Sequence, residues 1–212
     1  MATPELPSDD IIPSLLTISD VLGTGWFAAD AANVKPGSTA VVVGDGAVGL
    51  LGVLSAKLMG AERIIAMSRN EKRQHLAKDF GATDIVTERG NDGAARVKDL
   101  TRGIGADSVL ECVGTEESMM QAIQSTRPGG SIGYVGVPHG LKLDMWPVFF
   151  HLVRLHGGPA PVRRYLPDLI KLVWDRKIEP GKVFDLVLPL EQVAEGYRAM
   201  DERRAIKTLL RP

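Results

Sequence analysis

Six residues, Gly44-Asp45-Gly46-Ala47-Val48-Gly49, directly follow the apolar run Val41-Val42-Val43 and open a stretch of helical period. A strand that runs through glycines at these positions into a helix can hold a diphosphate. Gly44 permits a tight turn, Gly46 lets the backbone approach a phosphate, and Gly49 lets the helix pack closely on the strand. The first amides of the helix, from Ala47 and Val48 onward, then meet the anion at the positive end of the helix dipole. In the bland alternative the same glycines shape a βα turn and bind nothing. A methyltransferase also uses a glycine-rich first turn, although the spacing here favours a dinucleotide.

The next informative position lies some twenty residues on, at the tip of the second apolar run, where an Asp or Glu commonly takes the ribose hydroxyls of NAD. Here the chain reads Met67-Ser68-Arg69-Asn70. An acid would repel a 2′-phosphate, whereas the Ser68 hydroxyl and the Arg69 guanidinium can both bond one, the latter with full charge assistance. NADP(H) is therefore expected over NAD(H), with Lys72, Arg73 and Arg89 as possible additions to a positive pocket. Arg69 as a solvated surface charge is the alternative.

These residues need a scaffold that places them together. From residue 38 onward, short Val- and Ile-rich runs alternate with segments of helical period, the pattern of a parallel sheet with crossover helices. The expected fold class is α/β, a doubly wound parallel sheet of about six strands with a short α+β tail. Strands are expected at residues 39–43, 63–67, 84–87, 108–112, 131–137 and near 152–156. Helices are expected at 47–59, 92–101 and 116–126, with another that Asn70 caps and Gly81 ends. Pro128-Gly129-Gly130 reads as the turn before the fifth strand. The tail reads as helix 165–174, strand 183–188, helix 191–200 and strand 206–210, and not as a further βαβ repeat. Ahead of the sheet, residues 11–32 have helical period with a bend or break expected at Gly23-Thr24-Gly25.

Composition narrows the partners. Twenty-five Lys and Arg balance 26 Asp and Glu, with 44% hydrophobic and 24% charged residues. This is the make-up of a globular protein, with no basic footprint for nucleic acid or an anionic membrane. No stretch approaches the ~20 apolar residues of a membrane span, and the N-terminus lacks the pattern of a signal peptide. A single cysteine, Cys112, cannot form an internal disulfide. A reducing, cytoplasmic setting is expected. The four histidines show no i,i+4 pairing for a metal, and Cys112 reads as a small buried hydrophobe. Trp26, Trp146 and Trp174 read as core or interface anchors.

Several landmarks taken together carry a family resemblance: the Gly44–Gly49 turn, Phe80-Gly81-Ala82-Thr83-Asp84, Glu111-Cys112-Val113-Gly114, Arg127-Pro128-Gly129-Gly130 and Ile206-Lys207-Thr208. The chain resembles the C-terminal part of a medium-chain dehydrogenase/reductase of the zinc-dependent alcohol dehydrogenase family. The resemblance implies three parts: residues 1–23 as a connector left from the catalytic domain, 24–162 as the dinucleotide-binding Rossmann domain, and 163–212 as the segment returning to the catalytic domain.

It also implies roles. Thr24 would lie beside the nicotinamide. Cys112, Val113 and Gly114 would line the adenosine or ribose side, and Val135-Gly136-Val137 would hold the nicotinamide. Lys207 would reach the cofactor phosphates. Asp20 stands at the third ligand position of the family's catalytic zinc, an orphan here, since the other two ligands belong to the early catalytic domain. The activity implied for the complete protein is hydride transfer between NADP(H) and a small alcohol, aldehyde or ketone, with this chain alone inactive and without zinc. A stand-alone nucleotide-binding module, or part of a zinc-free quinone or enoyl reductase with Asp20 incidental, are the alternatives. The connector and tail strands, expected to be uncovered, imply a homo-oligomer.

Overall fold

A computed structural model describes residues 5–212. In chain order the elements are α1 (Ile12–Ile18), α2 (Val21–Ala31), β1 (Thr39–Val43), α3 (Ala47–Leu58), β2 (Arg63–Met67), α4 (Glu71–Phe80), β3 (Asp84–Val86), α5 (Gly90–Leu100) and β4 (Ala106–Glu111). They continue with α6 (Glu116–Ser125), β5 (Thr126–Tyr134), α7 (Trp146–Phe150), β6 (Arg154–Gly157), α8 (Val162–Trp174), β7 (Phe184–Pro189), α9 (Val193–Asp201) and β8 (Lys207–Arg211). The described chain divides into two compact units, a larger one of residues 24–161 and a smaller one in which residues 5–23 join residues 162–212.

In the larger unit six parallel strands form one sheet in the order β3-β2-β1-β4-β5-β6. This is the doubly wound order, in which the chain leaves β1 first to one side and later to the other. Helices cover such a sheet on both faces, so its strands are apolar throughout instead of alternating. Val41, Val42 and Val43 of β1 and Ile64 and Ile65 of β2 are accordingly buried. Val109 of β4, Ile123 of α6 and Ile132 of β5 pack with Val41, Val43 and Ile65 in one core. Local chemistry sets the helix ends. The Asn70 side chain accepts from the Arg73 amide at 3.2 Å, and Gly81 closes α4 in the left-handed conformation. Thr115 and Ser118 form a reciprocal capping box at the start of α6.

The expected break at Gly23-Thr24-Gly25 falls elsewhere. The helix stops after Ile18, where the Ser19 hydroxyl turns back to the Leu16 carbonyl at 3.0 Å and the Asp20 amide donates to Thr17 O at 3.3 Å. It restarts at Val21 and runs through both glycines. Gly25 serves packing instead: a Cβ there would lie 2.7 Å from the Gly52 nitrogen and 2.8 Å from the Leu51 carbonyl carbon. The missing side chain lets α2 lie against α3.

In the smaller unit the connector is covered, against the expectation. Ile18 and Leu22 are buried, and α1 packs on α8 and on the turn Pro180–Val183, where the Gly181 amide donates to the Ser14 hydroxyl at 3.1 Å. Tyr165, Leu169 and Val173, spaced four apart on α8, supply the buried face. The tail is a βαβ unit after all, because β7 and β8 pair in parallel with α9 between them. It forms its own two-stranded sheet. β5 also begins earlier than expected. Its pairing with β4 jumps from Thr126 to Ser131, so Pro128-Gly129-Gly130 bulges within the strand instead of preceding it.

The packing of α2 on α3 gives a test whose sign is informative. Ala exceeds Gly in helix propensity by ~1 kcal/mol, yet Gly25→Ala should lower stability by about 2 kcal/mol in urea unfolding, because the new methyl meets backbone. Unchanged or increased stability would contradict the close approach.

Candidate functional site

β1 runs out through Gly44, whose φ of +118° only glycine adopts readily, into Gly46, which caps α3 with no side-chain partner. The glycines divide into two kinds. A Cβ on Gly49 would stand 2.0 Å from the Gly44 carbonyl oxygen, so the protein's own packing forbids one. A Cβ on Gly46 would meet nothing within 4 Å. The first intrahelical bond comes only at Leu50, whose amide donates to Gly46 O at 2.9 Å. The amides of Ala47, Val48 and Gly49 therefore precede the ladder, at the positive end of α3 and beside open space, which suits an anion.

At the tip of β2 the predicted residues part company. Arg69 is exposed and has no hydrogen-bond or ion-pair partner among the described residues. Ser68 is only 1% exposed, and its hydroxyl donates to Asp45 Oδ2 at 2.7 Å. Arg73, read from sequence as a candidate for a positive pocket, is 4% exposed, and its Nη1 donates to the Asp45 carbonyl at 3.1 Å and to Oδ1 at 3.4 Å. Lys72 remains on the surface, and Arg89 is half-buried at the N-cap of α5.

The tips of β4 and β5 are tied by a residue that sequence reasoning passed over. Glu111 is fully buried, and its Oε1 accepts from the amides of Val113 and Gly114 and from the Ser118 hydroxyl, each at 2.8 Å. Its main-chain oxygen accepts from the Val135 amide at 2.9 Å and the Gly136 amide at 3.3 Å. Gly114 and Gly136 then meet backbone to backbone, since a Cβ on Gly136 would lie 2.1 Å from the Gly114 nitrogen. One signal was available: an acid ending an otherwise apolar strand must have donors close by. Cys112 beside it is half-buried, and desolvation together with the Glu111 charge pushes its thiol pKa up. That is the opposite of a reactive thiol. Val113 and Val137 are exposed.

Gly44–Gly49, Ser68-Arg69, Cys112–Gly114 and Val135–Val137 thus follow β1, β2, β4 and β5 at their carboxyl ends, along one edge of the sheet. The order in which strands are added reverses between β1 and β4. There a Cβ on Gly44 would come 2.9 Å from Val113 Cγ2. Ligands of open α/β sheets bind at such a switch point. At the other ends of the strands lies a hollow of about 660 Å³ lined by Arg63, Asp84, Asp107 and Arg127. These four charges are engaged with each other, Arg63 with Asp84 at 2.8 Å and Arg127 with Asp107 at 2.7 Å. The glycine edge is therefore the candidate.

Thr24 sits half-buried in α2 within the larger unit. Asp20 and Lys207 belong to the smaller one. Asp20 is exposed between α1 and α2, and Lys207 opens β8 with its amide 3.4 Å from Asp185 Oδ1. Among the described residues no three His, Cys, Asp or Glu side chains gather to hold a metal, so the donors present do not fit a zinc ion, which needs four. All four histidines are exposed. None of the three tryptophans is a core residue: Trp26 and Trp174 are half-buried, while Trp146 is 69% exposed and stacks on Phe150 with ring centroids 4.8 Å apart.

The two kinds of glycine separate by substitution. Gly46→Ala should change unfolding free energy by less than ~0.5 kcal/mol, as at a surface position, while Gly49→Ala should cost about 3 kcal/mol by overpacking. Equal losses in chemical denaturation would contradict the division.

A model of the zinc-binding dehydrogenase family matches residues 47–175. A probable zinc-binding alcohol dehydrogenase of Mycobacterium tuberculosis is 37% identical over 98% of this chain and 54% of its own length. An NADP-dependent isopropanol dehydrogenase of Clostridium beijerinckii is 38% identical over 93% of this chain and 56% of its own. Among solved structures, an alcohol dehydrogenase from Thermus sp. ATN1 superposes with a TM-score of 0.88 at 29% identity, covering 98% of this chain and 61% of that one. The chain spans little more than half the length of these relatives. With its glycine turn at the switch point of a doubly wound sheet, it belongs to the zinc-binding dehydrogenase family and carries that family's cofactor-type domain.

Proposed function

We propose that this chain binds NADP(H) in preference to NAD(H) along the glycine edge of its six-stranded sheet. The whole protein, in this reading, transfers hydride between NADP(H) and a small alcohol, aldehyde or ketone. The observation that carries the binding site is the open space over Gly46, beside the uncapped end of α3. Gly44, Gly46, Ala47, Val48 and Gly49 receive the diphosphate, and Ser68 and Arg69 lie at its 2′ end. The Ser68 hydroxyl is engaged by Asp45, so the exposed Arg69 supplies the charge. Cys112, Val113 and Gly114 line the adenosine or ribose side, and Val135-Gly136-Val137 orients the nicotinamide with Thr24 beside it. The similarity to an NADP-dependent isopropanol dehydrogenase supports the choice of cofactor.

When bound, the cofactor supplies or accepts the hydride; the protein's part is to fix the nicotinamide against the reacting carbon. Zinc is assigned to the complete protein, with Asp20 as one ligand. The donors among the described residues do not by themselves fit that ion. We place the protein in the cytoplasm, in line with the absence of any helix long and apolar enough to cross a membrane among the described residues.

Calorimetry of the purified chain should show NADPH binding tighter than NADH, and Arg69→Ala should remove most of that difference, roughly ten- to hundredfold for one charge-assisted contact. Equal affinities in the wild type would overturn the cofactor assignment. The same preparation should show no alcohol-dependent reduction of NADP, and turnover would refute the inactivity of the chain alone.

A homo-oligomer completes the proposal. Among the described residues β6 is an edge strand with one unpaired side. Trp146, Phe149, Phe150 and Leu152 just before it are all more than half exposed. Edges and apolar surfaces of this kind recruit a second copy. Light scattering should give a dimer mass or more at micromolar concentration, and a monomer throughout would contradict it.

A further inference from the structure

Asp45 and Arg73 form a buried ion pair at the 2′ end of the proposed nucleotide site. Arg73 is an unusual residue for its place. It sits in the first turn of α4, where the helix dipole disfavours a cation, and its guanidinium is buried, which is costly without a partner. Asp45 is the partner. Arg73 Nη1 lies 3.1 Å from its carbonyl and 3.4 Å from its Oδ1, while the Ser68 hydroxyl occupies Oδ2 at 2.7 Å. Both carboxylate oxygens are therefore engaged.

The location gives the pair its meaning. Asp45 leaves the end of β1, and Ser68 leaves the end of β2. The carboxylate thus stands between the two strand tips, where a dinucleotide fold reads the adenosine ribose. An acid at this place takes the 2′-hydroxyl of NAD, and an arginine takes the 2′-phosphate of NADP. This chain holds both chemistries within a few residues. The acid comes from the glycine turn instead of the second strand and is covered, while Arg69 is open to solvent.

Resting on the NADP(H) reading above, we propose that Arg73 sets the 2′ specificity of the site by masking Asp45. With the mask in place the carboxylate does not repel a 2′-phosphate, and Arg69 attracts one. Without it the same carboxylate is an acceptor for ribose hydroxyls and a repulsive charge beside the phosphate. Arg73 touches no ligand; it is a positioning residue acting through Asp45.

The test measures dissociation constants of NADPH and NADH for the wild type, Arg73→Met, Asp45→Asn and the double variant, with folding followed by circular dichroism. Arg73→Met should weaken NADPH by at least roughly tenfold through the uncovered like charge while leaving NADH within about threefold or tighter. Adding Asp45→Asn should restore the preference. The double variant leaves no uncompensated buried charge and keeps the test readable if Arg73→Met does not fold, and Asp45→Asn alone should keep or sharpen the preference for NADPH. Equal weakening of both nucleotides in Arg73→Met, or lost preference in Asp45→Asn, would overturn the masking while the NADP(H) assignment stands. A wild type that prefers neither nucleotide would overturn both.

Discussion

The carbonyl oxygen of Gly44 occupies the space that a Cβ of Gly49 would need, 2.0 Å from where that atom would be built. Only a glycine at the end of the first helical turn lets α3 start directly on the tip of β1. From that contact follow the open amides of the turn and the direction of the helix dipole. The candidate edge also follows, because the turn reaches over to Val113 at the tip of β4. A bulkier residue at position 49 would push α3 off the sheet and close the space over Gly46. The site is in this sense a consequence of how closely helix and strand can approach.

Two buried acids hold the remaining loops to that frame. Asp45 joins the tips of β1 and β2 through Ser68 and Arg73. Glu111 joins the loops after β4 and β5 through two amides and the Ser118 hydroxyl. Each carboxylate gathers donors because a buried acid without them is strongly unfavourable. Each therefore fixes backbone that a nucleotide would touch. Bonds to ionised acceptors are worth ~1.5 to 3 kcal/mol apiece. Single changes here should therefore act on binding geometry as well as on stability.

Much of the larger unit was legible in the sequence because its determinants are local. The Val- and Ile-rich runs of β1 and β2 match the expected strands residue for residue, and Asn70 and Gly81 bound α4 where a side-chain cap and a left-handed glycine are expected to. The glycine turn was readable for the same reason. What escaped depends on partners distant in sequence. Gly25 reads as a helix breaker until Gly52 is seen against it. Arg73 reads as an addition to a positive cofactor pocket until Asp45, 28 positions earlier, is seen to engage it. The connector looked uncovered because α8, which packs on it, comes some 150 residues later. The parallel pairing of β7 with β8 likewise depends on register across α9, which periodicity alone does not show.

A nucleotide bound in the proposed way would cover one edge of the sheet, at the carboxyl ends of β1, β2, β4 and β5. Amide hydrogen exchange of the chain with and without saturating NADPH tests it most directly. Exchange should slow at residues 45–50, 68–70, 112–114 and 135–137, with the strand starts around Arg63 and Asp107 unchanged. Protection confined to the strand starts, or none at the glycine turn, would contradict it.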